Sequence, residues 1–413
     1  MNKVKILFVN PRIEIRKIVF DNPGFCMTGM LYAASYTKQL GHETFILDSF
    51  TSEEPSKSLR FKDEYVIIGE NPKTLHKKIN VLQPELIFIN YSDFHREITL
   101  IPESLKFLIK KIKNNNNKII LANFHLSECM KYFNFDEKQI KDMLPEIDYI
   151  LNGFFEDNSY ILNLIEKKQE HNVKYGLLDQ NITDIKKYQK IFEILVSHGL
   201  IKEHERREKI FPLFTSRGCN YKCFFCSEKK GLWKSYNINN TINNIKFLAS
   251  EGIQKIFFLD LIANFNKDRF NTILDSIINE SIKCHFTNGI RIDLIDDNTV
   301  SKLAKCTDIL SISIESGNQK VINEIIKKKL NLNMVRKNIE LIKKYDIKCY
   351  AHYMINSPGE TEEEIKNTKE IAKYFHNKYG IIPRIQKYVP ANHKNGFDQK
   401  GINIVSKQFK MND

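Results

Sequence analysis

An α/β chain of two domains is predicted by three observations. At 413 residues the chain has about twice the length of a usual domain. Short apolar runs alternate with helical patterns along both halves, the signature of parallel strands wrapped by helices. Between the two series, residues 169–208 are polar and helical without strand-like runs, which reads as a linker. Residues 1–168 therefore predict a doubly wound parallel-sheet domain, residues 209–390 an open (β/α)6 barrel, and residues 391–413 a short tail. The 42% hydrophobic and 27% charged content exclude wholesale disorder and supply a core for each domain.

In the first series, strands are expected at 4–9, 44–47, 85–90, 118–122 and 148–151, because these are continuous apolar runs of strand length, as in sheets covered on both faces. Helices are expected at 31–40, 73–82, 101–113 and 127–133, with a last one from about Glu156. Ligands of such a sheet bind at the carboxyl ends of the strands, which brings forward Asn10, Asp48, Ser92, Asn123, His125, Gly153 and Glu156. In the second series, strands are expected at 211–215, 255–260, 284–288, 309–315, 348–355 and 384–389. Thr361 and Glu364, at capping-box spacing after Pro358-Gly359, mark the start of a helix.

The charge sum is +13, from 63 basic and 50 acidic residues. Lys, Asn and Ile are over-used along the whole chain, so the excess reads as compositional bias, and nucleic acid is not the expected partner. No run of 18 apolar residues occurs and the start, MNKVKILFVN, lacks a signal-peptide cleavage site, so the expectation is a cytoplasmic protein without a membrane span. Eight cysteines without a secretory signal argue against a disulfide framework. Three of them, Cys219, Cys223 and Cys226, cluster in TSRGCNYKCFFCSEKK just after the first barrel strand. A tetrahedral structural zinc site takes four protein ligands, and no fourth lies nearby. A four-iron cluster on three thiolates leaves one iron open to a small molecule. Zinc, or no metal, are the alternatives. Cys284, Cys306 and Cys349 sit in apolar settings typical of inert buried thiols.

The loop resembles that of the radical S-adenosylmethionine (SAM) superfamily, in which cysteines spaced three and two residues apart carry an aromatic before the last, here Phe225. FLDLIANF from Phe258, NGIRIDLID from Asn288, SISIESGNQ from Ser311 and INSPGETEEE from Ile355 resemble that superfamily's successive barrel motifs. The resemblance implies a [4Fe-4S] cluster on Cys219, Cys223 and Cys226, with the amino and carboxylate groups of SAM on the open iron. It also implies Phe225 against the adenine and Glu315 accepting from the ribose hydroxyls, a suitable partner because a carboxylate is an acceptor for a diol. Arg291 pairs either with the SAM carboxylate or with Asp293. Ser313, Asp260 and Asn288, at or near strand ends, are further SAM contacts by position. Tyr353 and His352 alternate along the fifth strand, so one of them faces inward, and Tyr353 is the expected one.

An open-sheet domain before such a barrel resembles the cobalamin-binding branch of the superfamily, through FVNPR at Phe8, the segment from Gly24 to Asp48, NFHLSE at Asn123 and NGFFED at Asn152. On this resemblance the front domain is a cobalamin-binding-like Rossmann domain, and Asn10, Ser92, Asn123, His125, Gly153 and Glu156 are candidate cobalamin contacts. Asn123-Phe124 stands where the family usually has paired glycines, and Gly153-Phe154-Phe155-Glu156 replaces a more glycine-rich turn. Such bulk keeps a corrin and its nucleotide tail from close approach to the backbone. The chain has no Asp-x-His-x-x-Gly signature for a lower axial histidine on cobalt. The resemblance implies a cobalamin-dependent C-methyltransferase acting on a small molecule or peptide, served by a reducing electron-transfer protein. A radical oxidoreductase, cyclase or rearrangement enzyme without cobalamin is the second reading, and a non-enzymatic metal-stabilised binding module the third.

Overall fold

The computed structural model describes residues 3–16, 28–51, 59–62, 65–91, 101–124, 137–151, 155–165, 175–181, 183–188, 209–226 and 232–388. The chain divides into two compact units, Met1–Pro212 with Asn239–Ile253, and Leu213–Ile238 with Gln254–Asp413. Among the described residues, no helix is long and apolar enough to cross a membrane.

In the first unit the elements are β1 (Lys5–Asn10), β2 (Ile13–Arg16), α1 (Thr28–Gln39), β3 (Glu43–Asp48), β4 (Leu59–Lys62), β5 (Tyr65–Ile68), α2 (Pro72–Leu82), β6 (Leu86–Asn90), α3 (Glu103–Ile112), β7 (Lys118–Ala122), α4 (Glu137–Met143), β8 (Tyr149–Leu151) and α5 (Ser159–Ile165). Strand order is β3-β1-β6-β7-β8, every pairing parallel. That is the doubly wound order, with its switch point between β1 and β6. The apolar runs are continuous because both faces are covered. Ile6 and Phe8 enter one core with α1 and α5, while Leu7 and Val9 enter the other with α2, α3 and α4. Two features were not anticipated: α4, and a small antiparallel sheet of order β2-β5-β4. The helix expected at 127–133 lies outside the described residues.

The second series runs β9 (Ile210–Leu213), β10 (Ser216–Arg217), β11 (Lys234–Ser235), α6 (Ile238–Ser250), β12 (Lys255–Phe258), α7 (Lys267–Asn279), β13 (Lys283–Phe286), α8 (Asp297–Cys306), β14 (Leu310–Glu315), α9 (Leu332–Lys344), β15 (Cys349–Ile355), α10 (Glu362–Tyr379) and β16 (Ile382–Lys387). Two three-stranded sheets, β13-β12-β9 and β14-β15-β16, are joined by a parallel bridge between Ile290 and Ile312, which gives the expected open six-stranded arc. At α10 the capping box is present, with Thr361 and Glu364 bonded reciprocally, and Gly380 closes the helix at φ 73°.

Alternation along these strands separates two faces. Phe258 stacks on Phe286, which packs on Phe270 of α7, and the Cys284 and Cys306 sulfurs are 3.7 Å apart between β13 and α8. Leu310, Ile312, Cys349 and Ala351 share that buried, helix-covered face. Phe257, His285, Ser311, Ser313, Tyr350 and His352 lie on the other face, the interior of the arc. Tyr353 falls in step with Cys349 and Ala351 and is 1% exposed. The expectation that Tyr353 faces inward is thus corrected: the inward residue is His352.

Candidate active site

The three-cysteine loop grows out of a hairpin. Beyond β9, the Asp260 carboxylate at the end of β12 accepts from the Thr215 N–H, the Thr215 hydroxyl at 2.8 Å and the Ser216 hydroxyl at 2.5 Å. Arg269 of α7 donates to the Thr215 carbonyl at 2.8 Å. The chain then pairs as β10 with β11, antiparallel. Gly218 has φ 73°, and a Cβ there would run into the Leu232 carbonyl, so the turn into the cysteines requires glycine. The loop itself is held by Phe224 N–H on the Ile326 carbonyl (3.0 Å), by Cys226 N–H on the Cys223 carbonyl (3.2 Å) and by Trp233 N–H on Asn220 (2.8 Å). Phe225 packs against Val321, Ile326 and Met354.

Cys219, Cys223 and Cys226 form no disulfide and are half-buried. Burial pushes the Cys219 and Cys223 thiols up, as does each one's proximity to a neighbouring thiol, while Arg291 and Lys328 pull both down. Those two cations are fixed in place. Arg291 forks onto Asp293 (3.0 and 2.7 Å), donates to the Lys328 carbonyl (3.1 Å) and lies 3.7 Å over the Tyr221 ring. Lys328 donates to Glu315 (2.7 Å) and to the Ser313 carbonyl (2.8 Å), a buried ion pair. Glu315, Lys327 and Lys329 all have left-handed backbone, at φ 72°, 59° and 54°. Strain of this kind collects where a site dictates side-chain direction.

Among the described residues, no group of three His, Cys, Asp or Glu side chains is gathered to hold one metal ion. Three thiols beside two cations suit a cluster, which needs one thiolate for each of three separate irons. Cys284, Cys306 and Cys349 are buried on the helix side.

Of the residues expected around SAM, Phe225, Arg291, Ser313 and Glu315 are on this loop or on the elements around it. Arg291 takes the second of its two expected roles, pairing with Asp293. Asp260 is corrected to a positioning residue, because its oxygens are engaged by Thr215 and Ser216. Asn288 donates to the Leu259 and Asp260 carbonyls at 3.0 and 3.2 Å. Tyr353 is excluded by the face it occupies. Lys328 and Tyr221 were missed.

At the switch point of the front sheet, a chain of hydrogen bonds ties the strand ends together. Asn10 donates to Asp48 (2.8 Å), Asn90 to Asn10 (2.9 Å), and Phe124 N–H to Asn90 (2.8 Å). Tyr188 donates to the other Asp48 oxygen at 3.0 Å. Burial pushes the Asp48 carboxyl up to about 6 despite these donors. Behind the strand ends, Phe8, Phe88, Phe124 and Phe155 pack ring against ring, with centroids 4.8 to 6.3 Å apart. Asn123 and Glu156 are half-buried. Ser92, His125 and Gly153 lie outside the described residues.

Residues 213–372, which contain the cysteine loop, Arg291, Glu315 and Lys328, match the family described as the Radical SAM superfamily. Over 167 residues the chain is 27% identical to an uncharacterized methyltransferase, PH0819, of Pyrococcus horikoshii, covering 39% of this chain and 36% of the relative. It is 25% identical over 283 residues to the ribosomal protein uS12 methylthiotransferase RimO of Clostridium novyi, covering 64% and 58%. The chain thus spans less than two thirds of either relative's length. Two solved structures share its fold. The radical SAM methyltransferase TsrM of Kitasatospora setae, with cobalamin and a [4Fe-4S] cluster bound, has TM-score 0.60 at 12% identity over 94% of this chain and 75% of that one. The cobalamin-dependent SAM radical enzyme OxsB, with aqua-cobalamin and SAM bound, has TM-score 0.60 at 15% identity over 98% and 55%.

Proposed function

We propose that the protein is a radical SAM enzyme that holds a [4Fe-4S] cluster on Cys219, Cys223 and Cys226, reductively cleaves SAM, and acts as a cobalamin-dependent C-methyltransferase on a small-molecule or peptide intermediate. The observation that carries this reading is the half-buried three-thiol loop beside Arg291 and Lys328, within the matched domain. When bound, the cluster and SAM supply a 5′-deoxyadenosyl radical able to take hydrogen from a C–H bond, and cobalamin supplies a methyl group. The chain's own residues bind and orient. Arg291 and Lys328 favour the thiolate forms that ligate iron. Glu315, held at one oxygen by Lys328, presents the other to the ribose hydroxyls, with Ser313 beside it and Phe225 toward the adenine. A reducing electron-transfer protein delivers the electron.

For cobalamin, the fit rests on the strand ends of the front sheet. Asn10, Asp48 and Asn90 form a polar edge over an aromatic floor, which suits a flat macrocycle lying across the edge. Phe124 and Phe155 fill the space behind it, and that packing favours a second reading: a radical SAM oxidoreductase, cyclase or rearrangement enzyme whose front domain kept the fold without the corrin.

Anaerobic reconstitution followed by iron, sulfide, cobalt and 5′-deoxyadenosine assays tests both readings. The first expects four irons and sulfides per chain, retained cobalt and 5′-deoxyadenosine release. Cluster and cleavage without cobalt select the second reading, and zinc in place of iron rejects both. Cys223→Ala is expected to abolish SAM cleavage while circular dichroism stays that of the parent; turnover by this variant at the parent rate contradicts the cluster assignment.

A further inference from the structure

The interior face of the arc carries a second group of polar side chains nearer the amino ends of the strands. His352 of β15 and Ser311 of β14 share a hydrogen bond, Nε2 to Oγ, at 2.8 Å. Arg384 of β16 is in register with His352, and its guanidinium lies 3.9 Å over the Tyr350 ring. His285 of β13 contributes another imidazole, 5.0 Å from the Phe257 ring.

Charge distinguishes Arg384 within this interior. Lys328 is matched by Glu315, Arg291 by Asp293, and both Lys255 and Lys283 by Asp308. Arg384 makes no ion pair among the described residues, and its side chain is exposed. Its charge is felt across the arc: after burial itself, cations including Arg384 hold both His285 and His352 below the ordinary imidazole range. Stacking on Tyr350 fixes the plane of the guanidinium and leaves its N–H edge to fork onto an oxyanion. His352 is paired with Ser313 and, across the bulge that follows, Tyr353 with Glu315, so Arg384 sits one residue step, about 3.3 Å, along the strands from Glu315 and two strands away, about 10 Å across the sheet. That is within the length of one small molecule.

We infer that the substrate bears an anionic group, a carboxylate or a phosphate, that docks on Arg384 with the His352–Ser311 pair as its polar neighbour, so that the rest of the molecule extends toward Glu315. This rests on the radical SAM reading and names the substrate class of that same interior.

The test uses the full chain, reconstituted anaerobically, with 13C-labelled histidine. Inorganic phosphate and acetate are titrated separately, which distinguishes the two oxyanions, while iron, sulfide and 5′-deoxyadenosine are measured on the same samples. At least one anion is expected to shift the His352 signal saturably. In Arg384→Ala and Arg384→Gln its affinity falls by about tenfold or more, the worth of a charge-assisted hydrogen bond, with iron and sulfide content unchanged. Lys387→Gln, which removes an exposed charge from the same strand, leaves affinity as it was. Absence of saturable shifts, equal affinity in the Arg384 variants, or an equal loss in Lys387→Gln overturns the anion site. Loss of cluster or cleavage in the parent chain instead condemns the radical SAM reading.

Discussion

At the scale of single residues, both units depend on buried charges whose partners are far away in sequence. Lys328 and Glu315 are 7% and 8% exposed, so removing one partner strands a charge, a change that typically costs about 3–5 kcal/mol. Their pairing also aims Glu315 and brings a cation to the thiols. Glu315 was legible from its motif, but Lys328 was not, because it sits inside a Lys327–Lys329 run that resembles the chain's general lysine excess. Asp48 is a different case. Its carboxyl is raised from 3.8 to about 6, chiefly by burial, so folding favours the protonated form. This contribution is full below the ordinary carboxylate value and is lost as pH rises through about 6. The separation is worth roughly 3 kcal/mol. Asp48→Asn keeps an acceptor for Asn10 and Phe50 N–H and still reaches Tyr188. Thermal melts across pH 4 to 8 are expected to show the parent losing stability toward neutral pH more steeply than Asp48→Asn; parallel profiles refute the assignment.

At the scale of elements, the continuous apolar strands and the Thr361 capping box were readable because each signal is local: burial on two faces, or two residues three apart. The β2-β5-β4 sheet was not, since β2 and β4 mix charged with apolar residues and all three strands have four residues, the shortest run in which period-two alternation can be read. Tyr353 shows a further limit. Alternation sorted it from His352 correctly, but which face turns inward is decided by where the helices pack, a long-range outcome. Gly218 belongs to the same scale, because one left-handed residue sets the exit of the cysteine loop from the β10-β11 hairpin. Gly218→Ala adds roughly 1–2 kcal/mol of backbone strain and a collision with the Leu232 carbonyl. Its expected consequence is local. Iron and sulfide incorporation fall well below the parent's, while the main unfolding transition moves by only a few degrees. Full cluster loading in this variant would show that the hairpin does not position the thiols.

At the scale of the whole molecule, the order of the motifs was legible in the sequence, since each sits at the carboxyl end of its own strand and the strands follow one another around the arc. The front unit was harder to read. Its motifs identify strand ends, but the outcome at Phe124 and Phe155 depends on rings from four separate strands and loops packing together. An open arc also has a cost that a closed barrel avoids, because its last strand leaves a row of backbone groups unpaired. Among the described residues, β16 pairs with β15 alone. Its sequence, IPRIQK, carries Pro383, which offers no N–H, and exposed Arg384, Gln386 and Lys387. These are residues that discourage a second copy from adding as a seventh strand. Gln386→Val with Lys387→Val removes two of the guards and raises β-propensity. Sedimentation velocity over a range of protein concentrations is expected to show self-association of this double variant at loadings where the parent sediments as one species. Lys378→Val on the exposed side of α10 also removes one charge and adds an apolar surface, but it lies on no strand edge. It is expected to sediment like the parent. Equal association of both variants would assign the effect to lost charge or added hydrophobicity, and no association of the double variant would show that Pro383 and Arg384 suffice to protect the edge.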